Sequence, residues 1–222
     1  MPRLADHDQR RTQITDATRR VVAREGLGAA TFQSVAAEAG ISVRLVQYYF
    51  GTKRKFLLAT HQAVVADAGA RFTRRLEALG GDPAPRDVIQ AILVELLPTD
   101  AERRQDTVVL NAFHTAALTA SDVVAEDTLG APRYLVTAIA DQLRRAGAGA
   151  AASAGGAQSA GSPADDAAGS ATNGAADSAA DLDAELIVAA ASGLAQTLLI
   201  DASAASRADA LLDRLLDRLV GP

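Results

Sequence analysis

Residues 31–50, Thr-Phe-Gln-Ser-Val-Ala-Ala-Glu-Ala-Gly-Ile-Ser-Val-Arg-Leu-Val-Gln-Tyr-Tyr-Phe, combine residue types and spacing suited to one chemistry, the reading of base edges in duplex DNA. Thr31 is placed to cap one short helix and Ser42 to cap a second. Gly40 can take the left-handed backbone angle that closes the first. Ala36 is small where two helices must approach closely, Glu38 stays polar on the outer side, and Val46 points back into a core. The pattern is a helix-turn-helix, in which the second helix is held from behind and can enter a major groove.

No comparable constellation supports catalysis. His7, His61 and His114 are far apart and lack metal-ligand spacing. There is no Gly-x-x-x-x-Gly-Lys loop and no Gly-x-Ser-x-Gly elbow. The glycine-rich stretch 147–180 lacks a lysine and a flanking strand, so it is not a phosphate cradle. The absence of cysteine removes disulfides, thiolate metal sites and thiol nucleophiles. The expectation is a protein that is not an enzyme and needs no cofactor or metal.

The elements that must position this motif are helical. Apolar residues make up 49% of the 222-residue chain, dominated by alanine and leucine, while aromatics are 4%. That balance favours helix over sheet and predicts an all-α fold. Residues 1–57 hold ten Lys/Arg against five Asp/Glu, although the whole chain carries −5. A basic head on an acidic body fits phosphate binding at one end and another task at the other. With no N-terminal apolar run and no apolar stretch read as approaching a membrane span, a soluble, cytoplasmic protein is expected.

A first helix is predicted over 8–25, ended by Gly26. Thr52-Lys53-Arg54-Lys55 starts a longer helix that Gly80-Gly81-Asp82-Pro83 stops, and a short apolar helix over 86–97 ends at Pro98. Thr99 and Glu102 form a capping box for a helix to about Leu118. Another helix begins near Ser121, is kinked or broken at Gly130 and Pro132, and resumes through Arg145. Residues 147–180 contain no Leu, Ile, Val or aromatic residue and read as a flexible Ala/Gly/Ser surface loop. Two amphipathic helices close the chain. Leu182, Leu186, Ala190, Gly193, Leu194, Thr197 and Leu198 line one, and Leu211, Leu212, Leu215, Leu216 and Leu219 line the other. Two such helices from each of two chains would make a four-helix dimer interface, with Leu186, Leu194, Leu198, Leu212, Leu215 and Leu219 on the shared face.

Arg10-Arg11, Gly26, Thr31, Val35-Ala36, Ala39-Gly40-Ile41-Ser42, Tyr49-Phe50-Gly51-Thr52-Lys53 and Leu57 stand in a register that strongly resembles the DNA-binding domain of TetR-family transcriptional regulators, over about residues 8–68. Residues 96–104 and 192–201 resemble the C-terminal domain of the branch that includes the choline-responsive repressor of betaine synthesis. The resemblance implies a three-helix DNA-binding domain over 1–57 and a helical ligand-binding and dimerisation domain over 58–222. It implies that residues 43–49 are the recognition helix. Arg44 would pair with guanine, Val43 or Leu45 would touch thymine methyls, and Gln47 would meet adenine or a phosphate. Gln33, Ser42, Tyr48, Tyr49 and Lys53 would bond phosphates and fix register.

The resulting expectation is a homodimeric regulator, a repressor released from a palindromic DNA operator by a small-molecule effector. Asn111, His114 and Tyr134 are the polar or aromatic residues on otherwise apolar helices where an effector could sit. The alternative is a DNA-binding protein or activator that is ligand-independent or controlled by a partner, with 147–180 as an interaction segment.

Overall fold

The computed structural model describes residues 2–118, 130–155 and 166–220. In chain order the α-helices are α1 (Pro2–Glu25), α2 (Phe32–Ala39), α3 (Val43–Phe50), α4 (Lys53–Leu79), α5 (Pro85–Leu96), α6 (Ala101–Leu118), α7 (Gly130–Gly155), α8 (Asp166–Ile200) and α9 (Ala208–Leu219). Two 3-10 turns, Leu27–Ala29 and Ala202–Arg207, join α1 to α2 and α8 to α9. No strand occurs among the described residues, so the fold is all-α as expected.

The chain divides into two compact units, Met1–Arg71 with Pro98–Ala131 and Phe72–Leu97 with Pro132–Pro222. The division cuts α4 after Arg71, and it groups α6 with the head. The 57/58 boundary expected from sequence falls within α4.

In the first unit the apolar stripe of α1, Ile14, Ala17, Val21 and Val22, meets Val35 and Ala36 of α2, Val46 and Phe50 of α3, Phe56, Leu57 and Val64 of α4, and Val109 and Phe113 of α6. Phe56 sits edge-on to Phe32 at 5.2 Å and to Phe50 at 6.4 Å. Each fully buried large side chain here contributes roughly 1.5–3 kcal/mol. The same unit contains a buried ion cluster. Asp106 of α6 accepts hydrogen bonds from Arg19 of α1 and from Arg71 of α4, the latter at 2.9 Å. Arg19 also bonds Asp67 at 3.0 Å, and Arg71 bonds Glu102 at 2.7 Å.

In the second unit α8 turns one seam inward, Ala180, Ala184, Ile187, Ala191, Ala195 and Leu198. The alanines on this seam let it lie close to Ile89, Leu93 and Leu97 of α5, Ile139 and Leu143 of α7, and Leu212 and Leu216 of α9.

Several sequence expectations change. Helix replaces loop at 147–155 and 166–180, while 156–165 lie outside the described residues. Alanine loses no side-chain entropy in a helix, so an alanine-rich stretch can extend a neighbouring helix without burying anything. Whether a helix is kinked or broken at Gly130 and Pro132 turns on residues before Gly130, which lie outside the described residues, and Pro132 itself lies within α7. It stands in the first turn of α7, where a missing N–H costs nothing. The helix expected from Ser121 lies largely outside the described residues. α1 begins at Pro2 rather than residue 8. Asp100, not Thr99, caps α6. Its carboxylate accepts from the Arg103 amide at 2.8 Å, and that bond holds its pKa below the ordinary aspartate value. Finally, Ser178–Ile200 is long and apolar enough to cross a membrane by length and composition, with a mean hydropathy of 1.4. Part of that apolarity is the inward seam, which packs against α5, α7 and α9.

Candidate nucleic-acid interface

The helix-turn-helix is built by local chemistry. The Thr31 hydroxyl accepts from the Ser34 amide at 3.1 Å, and the Ser34 hydroxyl accepts from the Thr31 amide at 2.9 Å, a reciprocal capping box at the start of α2. Gly40, at φ 66°, ends α2 in the left-handed region, and the Ile41 amide reaches back to the Ala36 carbonyl at 3.0 Å. The Ser42 hydroxyl then accepts from the Leu45 amide at 3.2 Å and opens α3. Val46 and Phe50 anchor α3 in the core four residues apart, one helical turn, so the opposite face is left outward.

Arg44, Gln47 and Tyr48 are exposed on that face, Tyr48 at 77%. Arg44 makes no hydrogen bond or ion pair among the described residues, so its guanidinium keeps its donors for another molecule. Val43 and Leu45 are half-buried, and Val43 packs in part against the core of the first unit. Gln33 and Ser42 are exposed, and Lys53 is partly exposed at the first position of α4. The free amides of a helix N-terminus favour an anion there.

Tyr49 differs from its neighbour. It is half-buried, edge-on to Tyr48 at 5.3 Å and tilted by 54° against His7 at 4.8 Å. An open cleft of about 400 Å³ lies beside it, lined in part by Arg11, Tyr48, Lys55 and Gln62. The outer side of α2 is already neutralised. Glu38 accepts from Arg20 at 2.6 Å and from Arg24 at 3.2 Å, and the bond from Arg20, followed by that from Arg24, holds its carboxyl below the usual glutamate range.

The structure also brings in residues that the sequence reading did not assign. Arg11 donates to the Tyr49 carbonyl at 3.1 Å and lies 4.4 Å above the Phe50 ring. Gln13 donates to the Ala39 carbonyl at 2.9 Å and accepts from Arg10 at 2.8 Å. Their partners are 26 and 38 residues away, so no local pattern could reveal them.

The three residues expected around an effector fall in different units. Asn111 and His114 are half-buried on α6 in the first unit. Burial pushes the His114 imidazole below its ordinary pKa, so it is neutral at pH 7. Tyr134 belongs to the second unit and is 70% exposed. Of the expected dimer residues, Leu198 and Leu212 are buried in their own unit's core and cannot line a free face. Leu186 is 58% exposed, and Leu194, Leu215 and Leu219 are half-buried.

Residues 14–60 match the family described as bacterial regulatory proteins, tetR family. The chain is 34% identical over 114 residues to the HTH-type transcriptional regulator PksA of Bacillus subtilis, a match covering 51% of this chain and 54% of PksA. It is 41% identical over 93 residues to the HTH-type transcriptional regulator BetI of Burkholderia mallei, covering 42% and 47%. The chain thus spans about half the length of the curated relatives it matches. A crystal structure of a transcriptional regulator from Rhodococcus sp. Rha1 superposes with a TM-score of 0.67 at 25% identity, covering 95% of this chain and 94% of that one. The helix-turn-helix geometry and these matches agree: residues 14–60 form a DNA-binding domain similar to that of the tetR family of bacterial regulatory proteins.

Proposed function

We propose that this protein is a sequence-specific, DNA-binding transcriptional regulator, acting in the cytoplasm as a homodimeric repressor that a small molecule releases. The observation that carries the DNA-binding reading is the split character of α3, with Val46 and Phe50 fixed in the core and Arg44, Gln47 and Tyr48 outward. Arg44 can form two parallel hydrogen bonds to guanine, a contact worth roughly 1–3 kcal/mol of discrimination. Ser42, Gln33, Tyr48, Tyr49 and Lys53 would position the helix on phosphates.

An exposed apolar stripe supports the dimer. Leu182 and Leu186 of α8 and Leu211 of α9 are exposed. An open groove of about 430 Å³ is lined by Leu186, Ala190, Leu211, Leu215 and Leu219 together with Arg214 and Arg218. A second copy of the same helix pair would cover it symmetrically. Two heads joined in this way gain affinity through effective concentration.

The effector reading is supported by α6. Its Asn111 and neutral His114 can each donate and accept hydrogen bonds, and the same helix is ion-paired through Asp106 to α1 of the head. A ligand acts as an inducer only if it binds the released form more tightly than the DNA-bound form. Tyr134, being exposed, is not part of this proposed pocket.

The test is selection of duplexes from randomised oligonucleotides with the purified protein, followed by Arg44→Ala on the selected site. A palindromic consensus is expected. Arg44→Ala should weaken the selected site by about 5- to 150-fold and random DNA much less. Enrichment of no sequence by the wild type would refute the reading.

A further inference from the structure

Both helices of the helix-turn-helix end in carbonyls that a helix cannot satisfy by itself. At the end of α3, the Gln47 carbonyl accepts from the Gly51 amide at 2.7 Å and the Phe50 carbonyl from the Thr52 amide at 2.7 Å. The Tyr49 carbonyl between them is taken by the Arg11 guanidinium at 3.1 Å. At the end of α2, the Ala36 carbonyl accepts from the Ile41 amide at 3.0 Å, and the Ala39 carbonyl is taken by the Gln13 side chain at 2.9 Å. Arg10 donates to the other end of that Gln13 amide at 2.8 Å, which fixes which way it points. By helical phase, Arg11 and Gln13 leave α1 on opposite sides of its buried Ile14 position, about 160° apart.

From this arrangement we infer that Arg11 and Gln13 are positioning residues for DNA readout: two clamps from α1 that set the angle of α3 by holding the C-terminal carbonyls of α3 and α2. This inference rests on the DNA-binding reading proposed above. A basic residue in this part of the chain would ordinarily be taken for a phosphate contact or a solvated charge. Arg11 is committed elsewhere. Its charge faces the negative end of α3, and its plane lies on Phe50, the same side chain that anchors α3 in the core. Hydrophobic packing of Val46 and Phe50 holds α3 against the core but tolerates small rotations, because such packing is non-directional. Hydrogen bonds to defined carbonyls are directional and remove that freedom. Base readout needs it removed, since the outward Arg44 gains its two bonds to guanine only in one orientation.

The test compares affinities for the selected operator and for random duplex across a salt series, using full-length protein. Wild type must first show a preference; if it shows none, the DNA-binding reading fails before the clamps are at issue. Arg11→Met keeps an apolar stem on Phe50 but cannot donate. It should lower the ratio of specific to random affinity roughly tenfold, within the range one misplaced base contact forfeits. Its salt slope should match wild type, because no phosphate contact is lost. Arg11→Lys, which can still donate to the Tyr49 carbonyl, should recover much of the ratio. Gln13→Met should lower the ratio as Arg11→Met does. Circular dichroism melting run alongside identifies any variant that has lost its fold, and Gln13→Met and Arg11→Lys provide independent readings if Arg11→Met is one. A flattening of the salt slope by about one in Arg11→Met, with equal loss on both duplexes, would make Arg11 a phosphate contact and overturn the proposal. So would an unchanged ratio in folded Arg11→Met and Gln13→Met.

Discussion

Replacing Asp106 by asparagine tests whether the ion cluster is a structural joint of the first unit. The Asp106 side chain is 6% exposed and accepts from Arg19 of α1 and Arg71 of α4, whose side chains are 13% and 14% exposed. Asparagine keeps the shape but removes the charge and turns an amide N–H toward one of the two guanidinium groups. Removing one partner of a buried pair costs roughly 3–5 kcal/mol, because the remaining charge stays desolvated. Here Arg19 keeps Asp67 and Arg71 keeps Glu102, so the lower end applies, about 3 kcal/mol. In a chain of this size each kcal/mol lowers Tm by roughly 2–4 °C, which gives a fall of about 6–12 °C. The internal control is Asp67→Asn. Asp67 is 52% exposed and pairs with the same Arg19, so its loss should cost no more than about 1 kcal/mol. Urea and thermal unfolding of the two variants, followed by circular dichroism, decide the matter. Equal and small effects would mean that water or rearranged side chains compensate Arg19 and Arg71, and that the cluster does not join α1, α4 and α6.

Leu186→Asp should convert the protein to a monomer in sedimentation while changing the stability of the folded chain little, because Leu186 is exposed, whereas Leu212→Ala should cost roughly 2–5 kcal/mol by opening a hole in the core; a dimeric Leu186→Asp protein would move the interface elsewhere. His114 should make stability rise with pH: its folded pKa lies below the unfolded value of about 6.5, so its contribution is complete above that value and is lost as pH falls through it toward the folded pKa. His114→Gln should flatten that part of the pH–stability curve, and an unchanged curve would show that His114 is not its source. Asp100→Ala should destabilise the chain by about 1 kcal/mol through loss of the α6 cap, and Thr99→Ala should not.

Where a feature depends on neighbours within a few residues, the sequence determined it. Thr31, Gly40 and Ser42 satisfy or release backbone groups three to five positions away, so the two short helices and their turn could be read directly. The apolar spacing of Val46 and Phe50 likewise fixed which face of α3 is outward. Tertiary structure alone decided what depends on distant partners. Leu198 and Leu212 carry the same side chain as Leu186, and only packing against α5 and α7 separates buried from exposed. The helical state of 147–155 and 166–180 was missed because composition shows what cannot be buried, not whether an adjoining helix will continue through alanine. The role of Arg11 could not be read locally because its acceptor is 38 residues away, and Asp106 meets Arg19 across 87. Hydrogen bonds and ion pairs are made by atoms close in space, and chain distance carries no information about them until the helices have packed.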